Sequence, residues 1–558
     1  MNRRNLTAAV LAGLAGAAGI VGSAQAVNIN PDGIGQVLIY PYYTTNGGNI
    51  TTLSVVNTTA DGKAVKVRFL EGENSQEVLD FNLYMSRYDV WTAVIFDDAG
   101  TPTMATGDTT CTVPYIYSYA NRPFGQAGGQ QEFLNYELDD GGWTGISRAR
   151  EGHFEMIEMG TLTDEIQTGT FSGGSEWAAT HAGGTPPLSQ IPGIGLPRVC
   201  GQLVDAWTDP DNTVAFDEGY WLNQNAGPLT DLENPSGGMF GGAAVINVGY
   251  GAMYSYDATA INGFAATLTD GTIADVPLHQ QPGFILPGLN SGDTLTATVF
   301  MSNGTTASAT LARGVDAVSY VFMHDQLMNE YTTEALVGAQ TEWVVTFPTK
   351  QFYVFDEQAG AAPVAPFTSR WDHTVIDYSA EACEIVVLDT IWDREEAKPG
   401  EIPGQPIPPV VSPAPEPDGD DDVFPFELCF ETSILRFGDE DTAGLTTEIL
   451  GSTNFHNIDN VALGFEFGWA RLQLADYPDT DAGGAIVPGG DILTRALPVV
   501  AGVPLEGLPV AGFAVQRFAN EFVGAAAGLV ASYGGIYDHK YTRRIGSGCT
   551  SQCMTDAN

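Results

Sequence analysis

The chain has 558 residues, 68 Asp and Glu against 22 Lys and Arg, and a formal net charge of −46. A surface so short of cations repels nucleic acid and anionic lipid, which both need Lys and Arg to displace counterions, and it favours divalent cations or a saline medium. Its 44% hydrophobic and 10% aromatic content excludes an acidic disordered chain and leaves room for about two to four domains with real cores.

Residues 1–26 carry the three parts of a secretory signal peptide. Arg3 and Arg4 give the positive start, residues 6–21 an uncharged apolar run, and Ala24-Gln25-Ala26 an Ala-x-Ala site that predicts cleavage before Val27. The run is too short and too rich in glycine to span a bilayer, and half of a twin-arginine motif is missing, so the general secretory route is expected. Cleavage leaves 20 cations against 68 carboxylates, a net charge of −48.

Residues 27–100 read as an N-terminal β-sandwich-like region. Strands are expected at 37–40 and 51–58, on either side of the turn-forming Asn46-Gly47-Gly48-Asn49, and Asp61-Gly62 is a short hairpin signal. Val65, Val67 and Phe69 alternate with Lys66 and Arg68, and Leu79, Phe81 and Leu83 with Asp80 and Asn82, the period of half-buried strands; another strand is expected at 90–96. Short strands at about ten-residue spacing are the sandwich pattern. Residues 101–240 read as a loop-rich insertion region, in which 153–159 is a strand or a short helical turn. Residues 241–395 form a β-rich region with strands at 243–248, 294–301, 343–347 and 352–355 and one helix at 324–337.

Strands at 385–391 and 426–437 flank a Pro/Asp-rich exposed loop or linker, 396–425. It holds eight prolines between 399 and 417 and ends in Asp418-Gly419-Asp420-Asp421-Asp422, a composition that removes backbone donors and favours extended, solvated chain. The rest, 426–558, is a C-terminal β-rich region in which Phe465, Phe467 and Trp469 alternate with Glu466, Gly468 and Ala470. Prolines and Glu506 interrupt the apolar stretch 496–515, so no transmembrane span is expected.

Six cysteines, Cys111, Cys200, Cys383, Cys429, Cys549 and Cys553, read as disulfides in an exported chain without a Cys-x-x-Cys pair. If the strands flanking the Pro-rich insert pair antiparallel, Cys383 and Cys429 face each other and close it. The metal candidate is calcium, which needs several oxygen ligands gathered from a short Asp- and Gly-rich turn. Asp209, Asp211 and Asp217 start such a loop, although Val214 replaces its turn glycine and Tyr220 its final Glu; Asp476, Asp479, Asp481 and Asp439-Glu440-Asp441 are similar acidic turns.

His153, Glu155 and Glu158 offer ligands on one stretch but lack the His-Glu-x-x-His spacing of a zinc protease. Residues 169–174 are Gly-rich around Ser172 without a Gly-x-Ser-x-Gly elbow, and Gly33-Ile34-Gly35 opens no nucleotide-binding unit. Glycoside hydrolysis needs only two carboxylates at the right separation, which an acidic chain supplies in excess. Tyr40, Tyr42 and Tyr43 suit either sugar stacking or a strand.

Residues 35–43 (GQVLIYPYY), 67–72 (VRFLEG), 342–350 (EWVVTFPTK) and 537–541 (YDHKY) resemble recurring segments of uncharacterised secreted or cell-surface proteins of Gram-negative bacteria. That resemblance implies export, to the cell surface, the medium or the periplasm, and carries over no functional residue. The expected fold is mainly β, with sandwich-like antiparallel domains, long Gly/Asp-rich loops and few helices. The expected role is a structural or adhesive cell-surface protein of surface-layer or matrix type, calcium-stabilised, with self-association or cell-envelope polysaccharide as partner. A secreted hydrolase acting on polysaccharide through paired carboxylates, or an extracellular binding module, is the alternative.

Overall fold

The computed structural model describes residues 26–116, 129–164, 173–181, 195–208, 219, 221–222, 232–265, 278–354, 364–371, 382–397, 424–439, 444–479, 487, 490–520 and 531–546. Residues 1–25, the insert 399–417 with its acidic end, and Cys549 and Cys553 lie outside them.

Eight strands build the first half: β1 (Val37–Thr44), β2 (Asn49–Asn57), β3 (Lys63–Glu71), β4 (Glu77–Met85), β5 (Val90–Asp98), β6 (Glu151–Leu162), β7 (Met239–Asn247) and β8 (Ala252–Asp257). One sheet runs β1–β6–β3–β4 and the other β8–β7–β2–β5, each with short strands added at its ends, and all these pairings are antiparallel. Leu38, Tyr40, Val67, Phe69, Phe81 and Phe154 of the first sheet share a core with Leu53, Val55, Trp91, Ile95 and Val245 of the second. Each large apolar side chain buried there contributes about 1.5–3 kcal/mol. Tyr40 joins the layers: its ring stacks on Phe154 at 4.1 Å, and its hydroxyl donates to the Ser54 carbonyl at 2.7 Å. A Cβ on Gly241 would lie 2.0 Å from that hydroxyl, so only glycine fits there.

Pro41 sits inside β1, where a central strand ordinarily excludes proline. The partner register jumps from Tyr43↔Gly152 to Tyr40↔Phe154 at this point, a bulge that asks no hydrogen bond of the missing N–H. Its carbonyl accepts the Thr346 hydroxyl at 2.7 Å, which ties β1 to the second half.

That half contains helix α1 (Gly314–Phe322) and strands β9 (Gln326–Thr332), β10 (Ala339–Thr346), β11 (Glu384–Asp393), β12 (Phe424–Leu428), β13 (Thr432–Phe437), β14 (Phe467–Gln473), β15 (Ala511–Asn520) and β16 (Ala531–Asp538). One sheet runs β12–β11–β14–β9 and the other β13–β10–β15–β16. Val344, Ile434, Phe513 and Val515 enter the core of the first half, so packing is continuous between the two. Residues Ile449 and Leu450 latch them. Their N–H groups donate to Glu342 of β10 at 2.6 and 3.0 Å, and their carbonyls accept Asn49 of β2 at 3.1 and 3.0 Å.

The mainly β expectation holds, with several corrections of detail. The Asp61-Gly62 hairpin does not form, because β2 and β3 belong to different sheets and the connection crosses between them, held by Asn57, which donates to the Asp61 and Ser86 carbonyls. The helix expected at 324–337 is strand β9, where pairing to β14 and Lys540–Thr542 overrides the helix propensity of its Gln, Leu, Met and Glu. The helix lies just upstream, in α1, every residue of which is buried. Of the strand expected at 352–355, Gln351–Val354 forms a single helical turn, pinned where Tyr353 donates to Asp316 and Ser319 of α1. The segment 153–159 is the strand β6, and 426–437 splits into β12 and β13 of two different sheets.

Antiparallel pairing of β11 with β12 sets Glu384 opposite Leu428, and the expected Cys383–Cys429 disulfide closes the next position, with S–S 2.04 Å. Its sequence separation of 46 corresponds to a loop-closure stabilisation of about 4 kcal/mol in the chain-entropy account. A second bridge, Cys111–Cys200, ties the edge of the first sheet to the short helix Cys200–Asp205.

Strand β3 departs most from its sequence pattern. Its alternation predicts Lys66 and Arg68 in solvent, yet Lys63 and Lys66 are 0% exposed and Arg68 5%. The cause is sheet on one side and structure on the other, so each cation takes a carboxylate from a neighbouring strand: Lys63 with Glu158 at 2.9 Å, Lys66 with Asp80, and Arg68 with Glu77 at 2.6 Å and with Glu155. Arg148 is enclosed likewise by Glu71 at 2.9 Å and Asp140 at 2.8 Å. Truncating one partner of such a pair leaves an uncompensated buried charge. Arg148→Met is therefore expected to lower the unfolding free energy by about 3–5 kcal/mol in urea titration, whereas Arg394→Met, which breaks an exposed pair with Glu395, leaves the midpoint unchanged.

Candidate functional site

The inner residues of β2, Leu53 and Val55, are buried, so its period of two turns Ile50, Thr52, Ser54 and Val56 to the other face of the second sheet. Register carries the same character across four strands. Thr92, Ser54, Gly242 and Asp257 form one row, and Val94, Thr52, Ala244 and Ser255 the next. The rows on either side are Val90, Val56 and Phe240, and Ile50, Ile246 and Met253. Asp257 is the one charged side chain among these outward positions. The small residues of the middle rows leave a shallow trough of about 570 Å³, and Val90, Phe240 and Met253 stand exposed along its rims at 46%, 42% and 58%. Thr, Val and Ile on this face stabilise the sheet through cross-strand pairs.

A second concavity, of about 430 Å³, lies between the halves. Ser255, Asp257 and Thr259 line it from the first half, and His324, Asp538, His539 and Tyr541 from the second. His324 stacks on Tyr541 at 3.9 Å, and both its ring nitrogens are buried without a hydrogen bond among the described residues. Burial first, then Arg543 and His539, hold it well below the usual histidine range, so it is neutral. His539 is held to about 4, chiefly by burial, and its Nε2 lies 3.0 Å from the Val344 carbonyl. The cleft thus offers two carboxylates and neutral imidazole.

Asp209, Asp211 and Asp217 lie outside the described residues, as do Ser172, Glu440, Asp441 and Asp481. Asp476 is engaged by Arg544 at 2.5 and 2.7 Å, bonds that hold its carboxyl below the usual range. Tyr40, Tyr42 and Tyr43 are all 0% exposed, which excludes them as a sugar platform. Glu155 and Glu158 are consumed by Arg68 and Lys63. Among the described residues, the only three His, Cys, Asp or Glu side chains whose ligand atoms converge within 4.8 Å are Cys383, Glu427 and Cys429, and there both sulfurs are spent in the disulfide.

Sequence reasoning missed the uncharged face. The alternation of β2 marks half of it, but the rows arise only when β7 and β8, nearly 200 residues away, pair alongside. No helix among the described residues is long and apolar enough to cross a membrane. No protein-family model, curated protein or solved structure matches the chain.

His153 of β6 is 1% exposed with neither ring nitrogen hydrogen-bonded among the described residues, and burial pushes it down to about 3. The unfolded chain takes its proton near pH 6.5, the folded chain only near 3, so the stability tied to this group is full above 6.5 and lost as pH falls towards 3. His153→Leu is expected to stabilise by about 1–3 kcal/mol at pH 7, by removing unsatisfied groups. Its advantage over wild type should widen between pH 6.5 and 4 in urea titrations at a series of pH values.

Proposed function

We propose that the chain is an exported structural protein of surface-layer or matrix type that associates with copies of itself through the outward face of β8, β7, β2 and β5. The observation that carries this reading is that four successive rows across β8, β7, β2 and β5 present one carboxylate, Asp257, in a chain of net charge −46, with Asp98 following only at the end of β5. Two copies meeting through acidic surface set like charges together, which costs several kcal/mol. Met face to face here, they bury Val90, Phe240 and Met253 at the roughly 10 Å spacing of stacked sheets. Export follows from the signal pattern and fits two disulfides. Calcium enters as the ion that relieves the remaining repulsion, by screening and by binding in Asp-rich turns such as that of Asp209, Asp211 and Asp217.

Sedimentation velocity tests it. The wild type is expected to self-associate in millimolar calcium at lower ionic strength than in sodium chloride, while Ser54→Glu and Thr52→Lys remain monomeric with unchanged melting temperatures. A monomeric wild type, or variants that associate equally, would contradict the reading; equal action of the two salts would reduce calcium to screening. A second reading, a secreted polysaccharide hydrolase, is supported by Asp257 and Asp538 lining one cleft. Its mark would be release of reducing ends that Asp257→Asn abolishes.

A further inference from the structure

Beside β4 lies a cavity of about 410 Å³ that plays no part in self-association. Phe81, Pro114, Ile116, Leu134, Pro282 and Ile285 give it apolar walls, Glu77, Asp80 and Glu137 line it as carboxylates, and Tyr136 stands beside it 69% exposed. Among the described residues Arg68 and Lys66 pair with three carboxylates, Glu77 and Glu155 on Arg68 and Asp80 on Lys66, and Glu137 lines the cavity as a fourth. Asp80 also accepts the Gly283 N–H at 2.9 Å, which fixes the Pro282-Gly283 wall.

Burial pushes the Glu77 carboxyl up despite Arg68. Burial, then the charges of Asp80, Glu137 and Glu77, push the Tyr136 phenol up, which puts its ring in the field of all three. These carboxylates do not converge as metal ligands do, since no three of them meet within 4.8 Å. Carboxylates spread around an apolar hollow with an aromatic ring at its edge suit a cation larger than a metal ion.

We propose that this cavity binds an organic cation, an ammonium or guanidinium group on an apolar body, with the charge among Glu77, Asp80, Glu137 and the Tyr136 ring and the body against the apolar wall. Either a free amine or a basic side chain of a partner protein supplies that chemistry.

Isothermal titration of the full mature protein tests it with phenethylamine, its neutral analogue 2-phenylethanol, calcium chloride and N-acetyl-phenylalanyl-lysine amide. Phenethylamine is expected to bind at least tenfold more tightly than the alcohol. Tyr136→Ala and Glu137→Gln, both at exposed positions, should each weaken it several-fold without moving the melting temperature. Tighter binding of the peptide would assign the site to a protein side chain, and weaker binding to a free amine. Equal binding of amine and alcohol, unchanged affinity in both variants, or displacement of the amine by stoichiometric calcium would overturn the proposal.

Discussion

The first half of the structure depends on cations carried inside. A sheet with structure on both faces, β1–β6–β3–β4, must bury whatever its strands present, and β3 presents Lys63, Lys66 and Arg68. Among the residues whose burial is described, eight of 18 Lys and Arg are buried, against eleven of 43 Asp and Glu. The cations are thus drawn inward more than in proportion. Each is paired or hydrogen-bonded, as low dielectric requires.

That partition gives the uncharged face its meaning. The second sheet lends its inner side to the common core and keeps four successive rows of its outer side free of charge but for Asp257. Its position is fixed by the latch of Ile449 and Leu450, whose backbones bond to Glu342 on one side and Asn49 on the other, while Thr346 on Pro41 ties the first sheet to the second half. Burial pushes Glu342 up to about 7 even though it accepts two N–H bonds, so the joint between the halves holds a carboxyl poised near neutrality.

Much of the fold is legible in the sequence where burial is one-sided or register is local. The strands β2 and β5 read directly, and Cys383 and Cys429 could be paired because the strands flanking the insert are neighbours. What failed is instructive. Lys66 and Arg68 read as solvent-facing because period alone cannot tell a half-buried strand from one covered on both faces by charge pairs. Residues 324–337 read as a helix because the strands that capture β9, at 467–473 and 540–542, are distant in sequence. The calcium reading of the Asp209 turn rests on spacing alone, and the uncharged face needed a register between β2 and β7 that no local pattern announces.

The central claim is that copies meet on the face of β8, β7, β2 and β5. Hydrogen–deuterium exchange measured by mass spectrometry at dilute and at associating concentrations tests it most directly. The account predicts that added protection appears in peptides covering 50–56, 90–94, 240–246 and 253–257 and leaves the β14 and β16 peptides unchanged. Protection confined to other surfaces, or no concentration dependence where association is seen, would contradict it.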